Sequence, residues 1–467
     1  MRRLALLALL YASTLPAFAQ PDQEIFARRR TAFMEKLPRG SIAIFPAAPA
    51  HMRNLDVEYQ YRQESTLYYL TGFEEQEAVA VLSPSAPRKK YTLFVRPRDE
   101  HGEAYAGGQA GLDGAMKAFH ADTALPAGNF ERALWGYLGR DRTLSYTFGV
   151  NPEIDAMITK AATIMRSAGI TPIVDPAPIL AEMRLIKTDD DFVAGLQRAL
   201  DISVQAHAEA MRAIRPGMFE YEVQAVFEYT FRRLGSPRNG FPCIIGSGPN
   251  SSIPHYDANR RQMEDGDIVV MDCAAEYGYY SADITRTVPA SGRFSEAQRT
   301  LYALVLAAQE AGIAAIRPGA RYRDIESAID TVLADGLVRL GFIKSGADRH
   351  MFTLHGYGHW IGLDVHDVGG YMREDSSIVL RPGMVLTVEP GVYVRPQVFD
   401  AMKSTGYGEE EIAQRQSLLA PYMHIGVRIE DDILVTDTGA RNLSASVPRT
   451  VEAIEAMMKE RGIGERD

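Results

Sequence analysis

Alternation of apolar and polar positions predicts short strands in the first third of the chain. The segments SIAIFP, AVAVLS and YTLFVRP are rich in strand-forming residues, and turn residues follow each of them. The proline-rich stretch 171–178 then interrupts the pattern. We therefore expect a domain boundary there, with a first domain over residues 20–178 and a second over 179–467.

Longer, helix-type periodicity characterises the second half. Thr188 followed by three aspartates predicts a helix start, and the helical pattern continues through Arg212 and stops before Arg215-Pro216-Gly217. Further helices are predicted over residues 220–234 and 295–316, with short strands between and after them. The second half is thus expected to be α+β with a largely antiparallel sheet.

The first twenty residues, MRRLALLALLYASTLPAFAQ, have the pattern of a secretory signal peptide. Two arginines precede an apolar run, and Ala17-Phe18-Ala19 provides a small-residue cleavage site. We expect cleavage after Ala19 and export to the periplasm or the medium. The apolar run is too short to cross a bilayer, so stable membrane insertion is not expected.

Composition narrows the classes of function further. With 467 residues, 46% of them hydrophobic and 24% charged, the chain is typical of a globular protein of two domains. Its net charge of −10 argues against a nucleic-acid partner, which needs clustered lysine and arginine. The only cysteines, Cys243 and Cys273, exclude a disulfide scaffold and a cysteine-rich zinc site. They could pair after export, but Cys273 is expected to be a small buried filler.

The segment MDCAAEYGYYSADITRT predicts a hairpin that carries two acids. With Tyr277-Gly278 as a two-residue loop, Asp272 lies directly opposite Asp283. Opposite residues have Cβ atoms about 4.5–5.5 Å apart, and two like charges at that distance are unfavourable without a cation between them. A metal site is one interpretation, and a solvated hairpin with acids that keep the edge soluble is the other.

Three histidines follow in HGYGHWIGLDVHDVGG. His355 and His359 have the i, i+4 spacing of a helical zinc site, but residue 356 is glycine instead of glutamate, and the glycines disfavour a helix. We therefore expect a loop in which His355, His359 and His366 are either structural or functional.

Two later segments add isolated acids. Glu389 stands alone among apolar residues in MVLTVEPGVYV and must be paired, protonated or metal-bound. In GVRIEDDILV, Arg428 and Glu430 are expected on one strand face, as a metal-site pair or as part of a salt-bridged sheet edge. An oxygen-rich donor set with one nitrogen suits two divalent ions, with Mn²⁺ a better fit than a single structural Zn²⁺. That set comprises Asp272, Asp283, His359, Glu389 and Glu430.

These segments, together with GSGPNSSIPHY, resemble the ordered motifs of the pita-bread metallopeptidases, in the branch that contains aminopeptidase P and prolidase. The stretch EYQYRQESTLYYLTGF resembles the creatinase-like N-terminal domain of the same branch. The resemblance covers nearly the whole mature chain. It implies an α+β pita-bread catalytic domain preceded by a creatinase-like α/β domain.

The resemblance also implies roles for individual residues. Asp272 would chelate one metal, Asp283 and Glu430 would bridge both, and His359 and Glu389 would complete the second. The ions would be Mn²⁺, with Zn²⁺ or Co²⁺ as alternatives, and would activate a shared water. Glu389 would accept the proton of that water, and His255 or His366 would stabilise the oxyanion. His355 and Arg428 match residues close around the centre.

The expected function is that of an Xaa-Pro aminopeptidase acting on peptides with proline in second position. An Xaa-Pro dipeptidase is the alternative within the enzyme class, and a non-catalytic module that binds peptides or a protein is the alternative outside it. The family resemblance is compatible with a homo-oligomer. Residues 395–422 exceed the minimal link between two strands and would form either a lid or a solvated insertion.

Overall fold

The computed structural model describes residues 22–139, 142–165 and 172–463. The predicted signal peptide lies outside these residues. The chain divides into two compact units. The first unit runs to Arg142 and includes a second segment that begins at Val150. The second unit comprises Thr143–Gly149 and the residues from Thr171 onward. The predicted domain boundary at residue 178 stays a prediction.

The first unit is built around the three apolar segments that the sequence marks as strands. Val79–Leu82 lies between Ser41–Pro46 and Tyr91–Val95 and is antiparallel to both, and all three strands are buried. The strand predictions are therefore confirmed. The helices of this unit are Gln23–Lys36, Ser65–Thr71, Glu100–Ala106, Gly111–Lys117, Phe130–Tyr137 and Pro152–Ile164, and its remaining strands are Met52–Asn54, Val57–Glu58 and Thr123–Pro126.

Long amphipathic helices enclose the core of the second unit. The predicted helix after Thr188 is confirmed, but it includes one wider turn at Phe192–Leu196. A Cβ atom at Gly195, within that turn, would lie 2.2 Å from the carbonyl oxygen of Tyr277, so glycine permits close packing of the helix against the hairpin. The helices of this unit are Ala177–Leu185, Asp189–Asp191, Gln197–Ala213, Glu220–Arg233, Glu296–Ala315, Tyr322–Arg339, Val398–Ser404, Glu409–Leu419 and Val451–Met457.

Short strands of the second unit bring distant parts of the chain together. Ile268–Asp272 pairs with Ile244–Ser247 on one side and with Thr285–Pro289 on the other, and both pairings are antiparallel. The prediction of a largely antiparallel sheet is confirmed. The remaining strands are Thr143–Ser145, Ile173–Val174, Arg238–Asn239, Ala275–Tyr277, Tyr280–Ser281, Met372–Arg373, Ser376–Ser377, Val385–Val388, Gly391–Val394, Ile425–Arg428, Asp431–Val435 and Ala440–Asn442.

The segment 395–422 folds into two short helices that pack on the second unit. Met402, Ile412 and Leu419 are buried in the core, and the Tyr407 hydroxyl accepts the N–H of Lys344 and donates to Asp348. These contacts explain how the extra length is held against the protein. Across the described part of the chain, no helix has both the length and the apolar content needed to cross a membrane.

Candidate active site and metal centre

The hairpin that carries the two aspartates has a different register from the predicted one. Its turn is Gly278-Tyr279, with positive φ angles of 54° and 68°, so Tyr277 pairs with Tyr280 and Asp272 lies opposite Thr285. The predicted direct pairing of Asp272 with Asp283 is wrong. A type I′ hairpin turn, which matches strand twist, needs positive φ at both central residues, and Gly278 supplies the first of them without steric cost. Because the register differs by two residues, Asp283 keeps the same face as Asp272.

Side chains from six separate segments of the second unit line one cavity of about 450 Å³. Hydrogen bonds of the Thr287 hydroxyl, which donates to the carbonyl of Arg428 and accepts its N–H, place the aspartate segment beside the strand that leads to Glu430. The strand that leads to Glu389 pairs with Asp431–Val435, which follows Glu430. All nine residues singled out from the sequence line this cavity: His255, Asp272, Asp283, His355, His359, His366, Glu389, Arg428 and Glu430.

Glu389 and Glu430 lie just beyond strand ends and not within continuous strands. Val385–Val388 ends before Glu389 and Pro390, and Ile425–Arg428 ends before Glu430. The predicted single strand that carries both Arg428 and Glu430 is therefore interrupted. The backbone N–H of Glu430 donates to the carbonyl of Thr285, which fixes the glutamate beside the hairpin.

Three of the side chains could share one cation. Asp283, His359 and Glu430 each offer a ligand atom, and these atoms lie within 4.8 Å of one another. Nε2 of His359 is 3.3 Å from Oδ2 of Asp283 and 3.6 Å from Oε1 of Glu389. Nδ1 of His359 is 3.1 Å from the carbonyl oxygen of Trp360, and donating its proton there leaves the Nε2 lone pair directed at the acids.

The electrostatics of the cavity favour a bound cation. Burial raises the pKa of Asp283 and Glu430 well above the usual value, and neighbouring carboxylates raise each further. Burial likewise raises the pKa of Glu389 to about 7. Among the described residues, Oδ1 of Asp272 and Oδ1 of Asp283 are buried and have no hydrogen-bond partner. Divalent cations would satisfy these oxygens and offset the repulsion between the acids.

A hydrogen-bond network orients the acidic side of the cavity. Arg428 is buried and donates to Asp272, to the Thr285 hydroxyl at 3.2 Å and to the Tyr393 hydroxyl at 3.0 Å. Thr285 in turn donates to Oε2 of Glu430 at 2.6 Å. Neither Thr285 nor Tyr393 is predicted from the sequence, because hydroxyl residues in strands carry no distinctive signal.

The histidines occupy the more open side. Nε2 of His355 is 2.7 Å from the Tyr393 hydroxyl, and burial together with Arg428 lowers the pKa of His355 to about 4. The ring of His366 lies edge-on to His359 with centroids 4.3 Å apart, and burial and the neighbouring histidines lower the pKa of His366. Both rings are therefore mainly neutral at pH 7 and available to donate or accept a hydrogen bond. His255 lines the same cavity.

The rest of the cavity wall is mostly apolar. Phe241, Pro242, Ile244, Pro254 and Val365 line it, together with the backbone of Gly356 and Gly358. An apolar wall facing acids and histidines suits a ligand with a polar reacting centre and an apolar side chain or ring.

Known proteins match this chain in sequence and in fold over most of its length. The sequence profile of Metallopeptidase family M24 matches residues 194–437, and that of the aminopeptidase P N-terminal domain matches residues 26–151. The Xaa-Pro aminopeptidase of Escherichia coli is 38% identical over 451 residues, which cover 94% of this chain and 98% of the relative. The human Xaa-Pro dipeptidase is 31% identical, with 93% of each chain covered. The solved structure of the Pseudomonas aeruginosa aminopeptidase PepP aligns with a TM-score of 0.87 at 38% identity, over 94% of this chain and 98% of that one.

Proposed function

The chain belongs to metallopeptidase family M24 and is a metallo-aminopeptidase, a hydrolase, and on that premise we propose that it is an exported Xaa-Pro aminopeptidase. It releases the first residue from peptides that have proline in second position. The Xaa-Pro bond is a tertiary amide without an N–H, so a peptidase that holds its substrate by that N–H handles it poorly. A site that accepts the proline ring is a separate specialisation.

The proposal rests on the meeting of residues that are distant in the sequence in one cavity. Nine residues spread from 255 to 430 in the sequence line one cavity, where two buried carboxylate oxygens have no partner among the described residues. Structural acids in a folded protein normally have partners. Relatives that match over nearly the whole chain support the peptidase assignment, and two bacterial relatives named Xaa-Pro aminopeptidase, at 38% and 34% identity, are more similar than the human Xaa-Pro dipeptidase at 31%.

The donor set fits two divalent cations. Asp272 would bind the first, Asp283 and Glu430 would bridge, and His359 and Glu389 would bind the second. Divalent ions in such a site act as Lewis acids and lower the pKa of a bound water. The preference for oxygen donors with a single imidazole favours Mn²⁺, with Zn²⁺ and Co²⁺ as alternatives.

The protein's own groups then perform distinct steps. Glu389 lies in the cavity with its Oε1 3.6 Å from Nε2 of His359, and it accepts the proton of the attacking water. His255 or His366, on the open side, donates a hydrogen bond to the developing oxyanion. Arg428 holds Asp272 and the Tyr393 hydroxyl in place. The apolar wall excludes water from the reacting bond.

The metal requirement is tested by chelation followed by reconstitution with single metals. We expect loss of activity on chelation and the fullest recovery with Mn²⁺, with two equivalents bound per chain by elemental analysis. One equivalent at full activity would contradict the two-ion proposal.

Substrate length distinguishes the aminopeptidase from the dipeptidase. A dipeptidase must neutralise the carboxylate just beyond proline, whereas an aminopeptidase leaves that end open. Arg395, the cation at the start of the 395–422 segment, is not among the described residues that line the cavity. We expect Xaa-Pro-Yaa amides to be cleaved at least as well as Xaa-Pro. Cleavage restricted to free dipeptides and relaxed by Arg395→Ala would instead support a dipeptidase.

Export is tested at the N-terminus of the mature protein. We expect Edman or mass-spectrometric analysis to give Gln20 as the first residue of the protein recovered outside the cytoplasm. Recovery of only the full-length chain from the cytoplasm would overturn export and leave the peptidase proposal untouched.

A further inference from the structure

Cys243 and Cys273 face each other across two strands that form one wall of the active-site cavity. Ile244–Ser247 pairs antiparallel with Ile268–Asp272, and Ile244 lies opposite Asp272. One step further along this register, Cys243 lies opposite Cys273. Both cysteines are buried and free.

Backbone hydrogen bonds identify this as a non-hydrogen-bonded pair. The N–H of Cys273 donates to Ile284, on the opposite side of its strand, at 3.3 Å. The carbonyl of Cys243 accepts from the side-chain amide of Asn259 at 2.8 Å, away from Cys273. In such pairs the Cα atoms are about 4.5 Å apart and the side chains are at their closest, within the range of about 4.4–6.8 Å that disulfides span.

The thiol of Cys273 lies toward the strand that follows Cys243. Its Sγ is 3.9 Å from the carbonyl oxygen of Ile244, the residue next to Cys243. Register, strand geometry and the position of this thiol therefore agree in placing the two side chains close together.

We propose that Cys243 and Cys273 are an oxidative modification site that forms an intramolecular disulfide. One thiol, as its thiolate, attacks a disulfide-containing oxidant and displaces one thiolate of the oxidant; the second cysteine thiolate then attacks the mixed disulfide and displaces the other. Overall, the two cysteine thiols lose two protons and two electrons, and the oxidant is reduced to two thiols. An oxidant of this class acts in the compartments to which exported proteins are delivered.

The position of the bond gives it a consequence for the site. Pro242 and Ile244, on either side of Cys243, line the cavity, and Asp272 immediately precedes Cys273. The disulfide ties the apolar wall to the acidic strand. Because both cysteines are buried, exchange takes place while the chain folds or opens, and the completed bond is shielded from reductants.

The test uses the full chain and needs no substrate. Protein is incubated with oxidised glutathione, once in the native state and once during refolding from urea, and is then alkylated in denaturant and digested with trypsin. Cleavage at Arg238, Arg260, Arg261 and Arg286 puts the two cysteines on separate peptides, residues 239–260 and 262–286. We expect these peptides to be recovered as a disulfide-linked pair in at least the refolding arm.

A stability measurement accompanies the mapping. Closing the loop between residues 243 and 273 restricts the unfolded chain, so the oxidised protein should melt a few degrees higher than the reduced one. Cys243→Ser is the control and should show no such difference. Free thiols in both arms, stable mixed disulfides with glutathione, or disulfide-linked dimers would each overturn the proposal. None of these outcomes bears on peptidase activity, so the two proposals fail separately.

Discussion

The second unit contains two kinds of buried carboxylate, and neighbouring residues exemplify them. Asp431 is bonded by Arg286 at 2.7 Å and by the Ser444 hydroxyl at 2.6 Å. Burial alone would raise the pKa of Asp431, but these partners hold it below its usual value. Glu430 is equally buried, but the acids around it add to the effect of burial and raise its pKa.

The same contrast recurs between Asp283 and Asp367. Asp367 lies between two buried cations, with Nζ of Lys187 at 2.7 Å from its Oδ2 and Arg184 bonded to its Oδ1. Asp283 accepts no hydrogen bond at Oδ1 from any described residue. Burial alone therefore does not indicate function. An acid such as Asp367, with both oxygens bonded by protein cations, stabilises the fold, whereas an acid buried among other acids is either protonated or paired with a cation from outside the chain.

The largest expected effect comes from Asp283→Asn. The amide removes a charge that the proposed site shares between both ions, so we expect turnover to fall by more than about 100-fold, beyond the effect of losing an outer-shell partner. Elemental analysis should show loss of bound metal. Asp367→Asn, at an acid that already has protein cations, is the matched control and should keep its full metal content. Equal metal content in both variants would contradict the distinction between acids that have protein cations and acids that are buried among other acids.

The sequence predicted this distinction only in part. The resemblance of its motifs to those of the pita-bread metallopeptidases implied the α+β pita-bread architecture and the creatinase-like N-terminal domain, which family and structure comparisons confirm. It also named Asp283 and Glu430 as acids of one site, and the structure brings both into one cavity. The assignment of individual metal ligands stays a prediction.

The sequence did not predict which residues face each other across the hairpin or which residues form ion pairs. The predicted hairpin register was wrong because the turn includes Tyr279, whose positive φ of 68° is rare for a non-glycine residue. Likewise, the partner of Asp431 is Arg286, which is 145 residues away and identifiable only once the strands are assembled. Local patterns indicate which residues share a strand face, but long-range packing decides which acid receives a cation.

Removing the cation of a partnered acid should chiefly affect stability. Arg286→Met leaves Asp431 charged and buried, so we expect the free energy of unfolding to fall by about 3–5 kcal/mol, measured by urea denaturation. The additional change Asp431→Asn removes the stranded charge and should restore part of that loss. Arg299→Met is the control, because its partially exposed pair with Glu455 should contribute no more than about 1 kcal/mol. Similar losses for Arg286 and Arg299 would contradict the comparison.

A smaller effect is expected at Thr285, whose hydroxyl joins Arg428 to Glu430. Thr285→Val keeps the shape of the side chain but removes both hydrogen bonds, so we expect metal affinity to fall about 10–100-fold. Competition with a fluorescent chelator measures this without substrate. Thr285→Ser retains the hydroxyl and should bind metal almost as the wild type does. If the valine and serine variants bound equally, the hydroxyl would have no role in orienting Glu430.

The smallest effect concerns acid stability. Burial opposes ionisation of Asp367, but Lys187 and Arg184 outweigh it and hold the pKa of Asp367 below its usual value. A depressed carboxyl pKa stabilises the folded state at pH values above the unfolded pKa of about 3.9, and this contribution is lost as pH falls through the folded pKa. The free energy of unfolding of wild type should therefore exceed that of Asp367→Asn by more at pH 6 than at pH 3. Urea denaturation at both pH values gives the two differences, with Asp113→Asn as an exposed control whose difference should stay near zero. A gap between wild type and Asp367→Asn that stayed constant or widened at pH 3 would mean that the two cations do not favour the ionised acid.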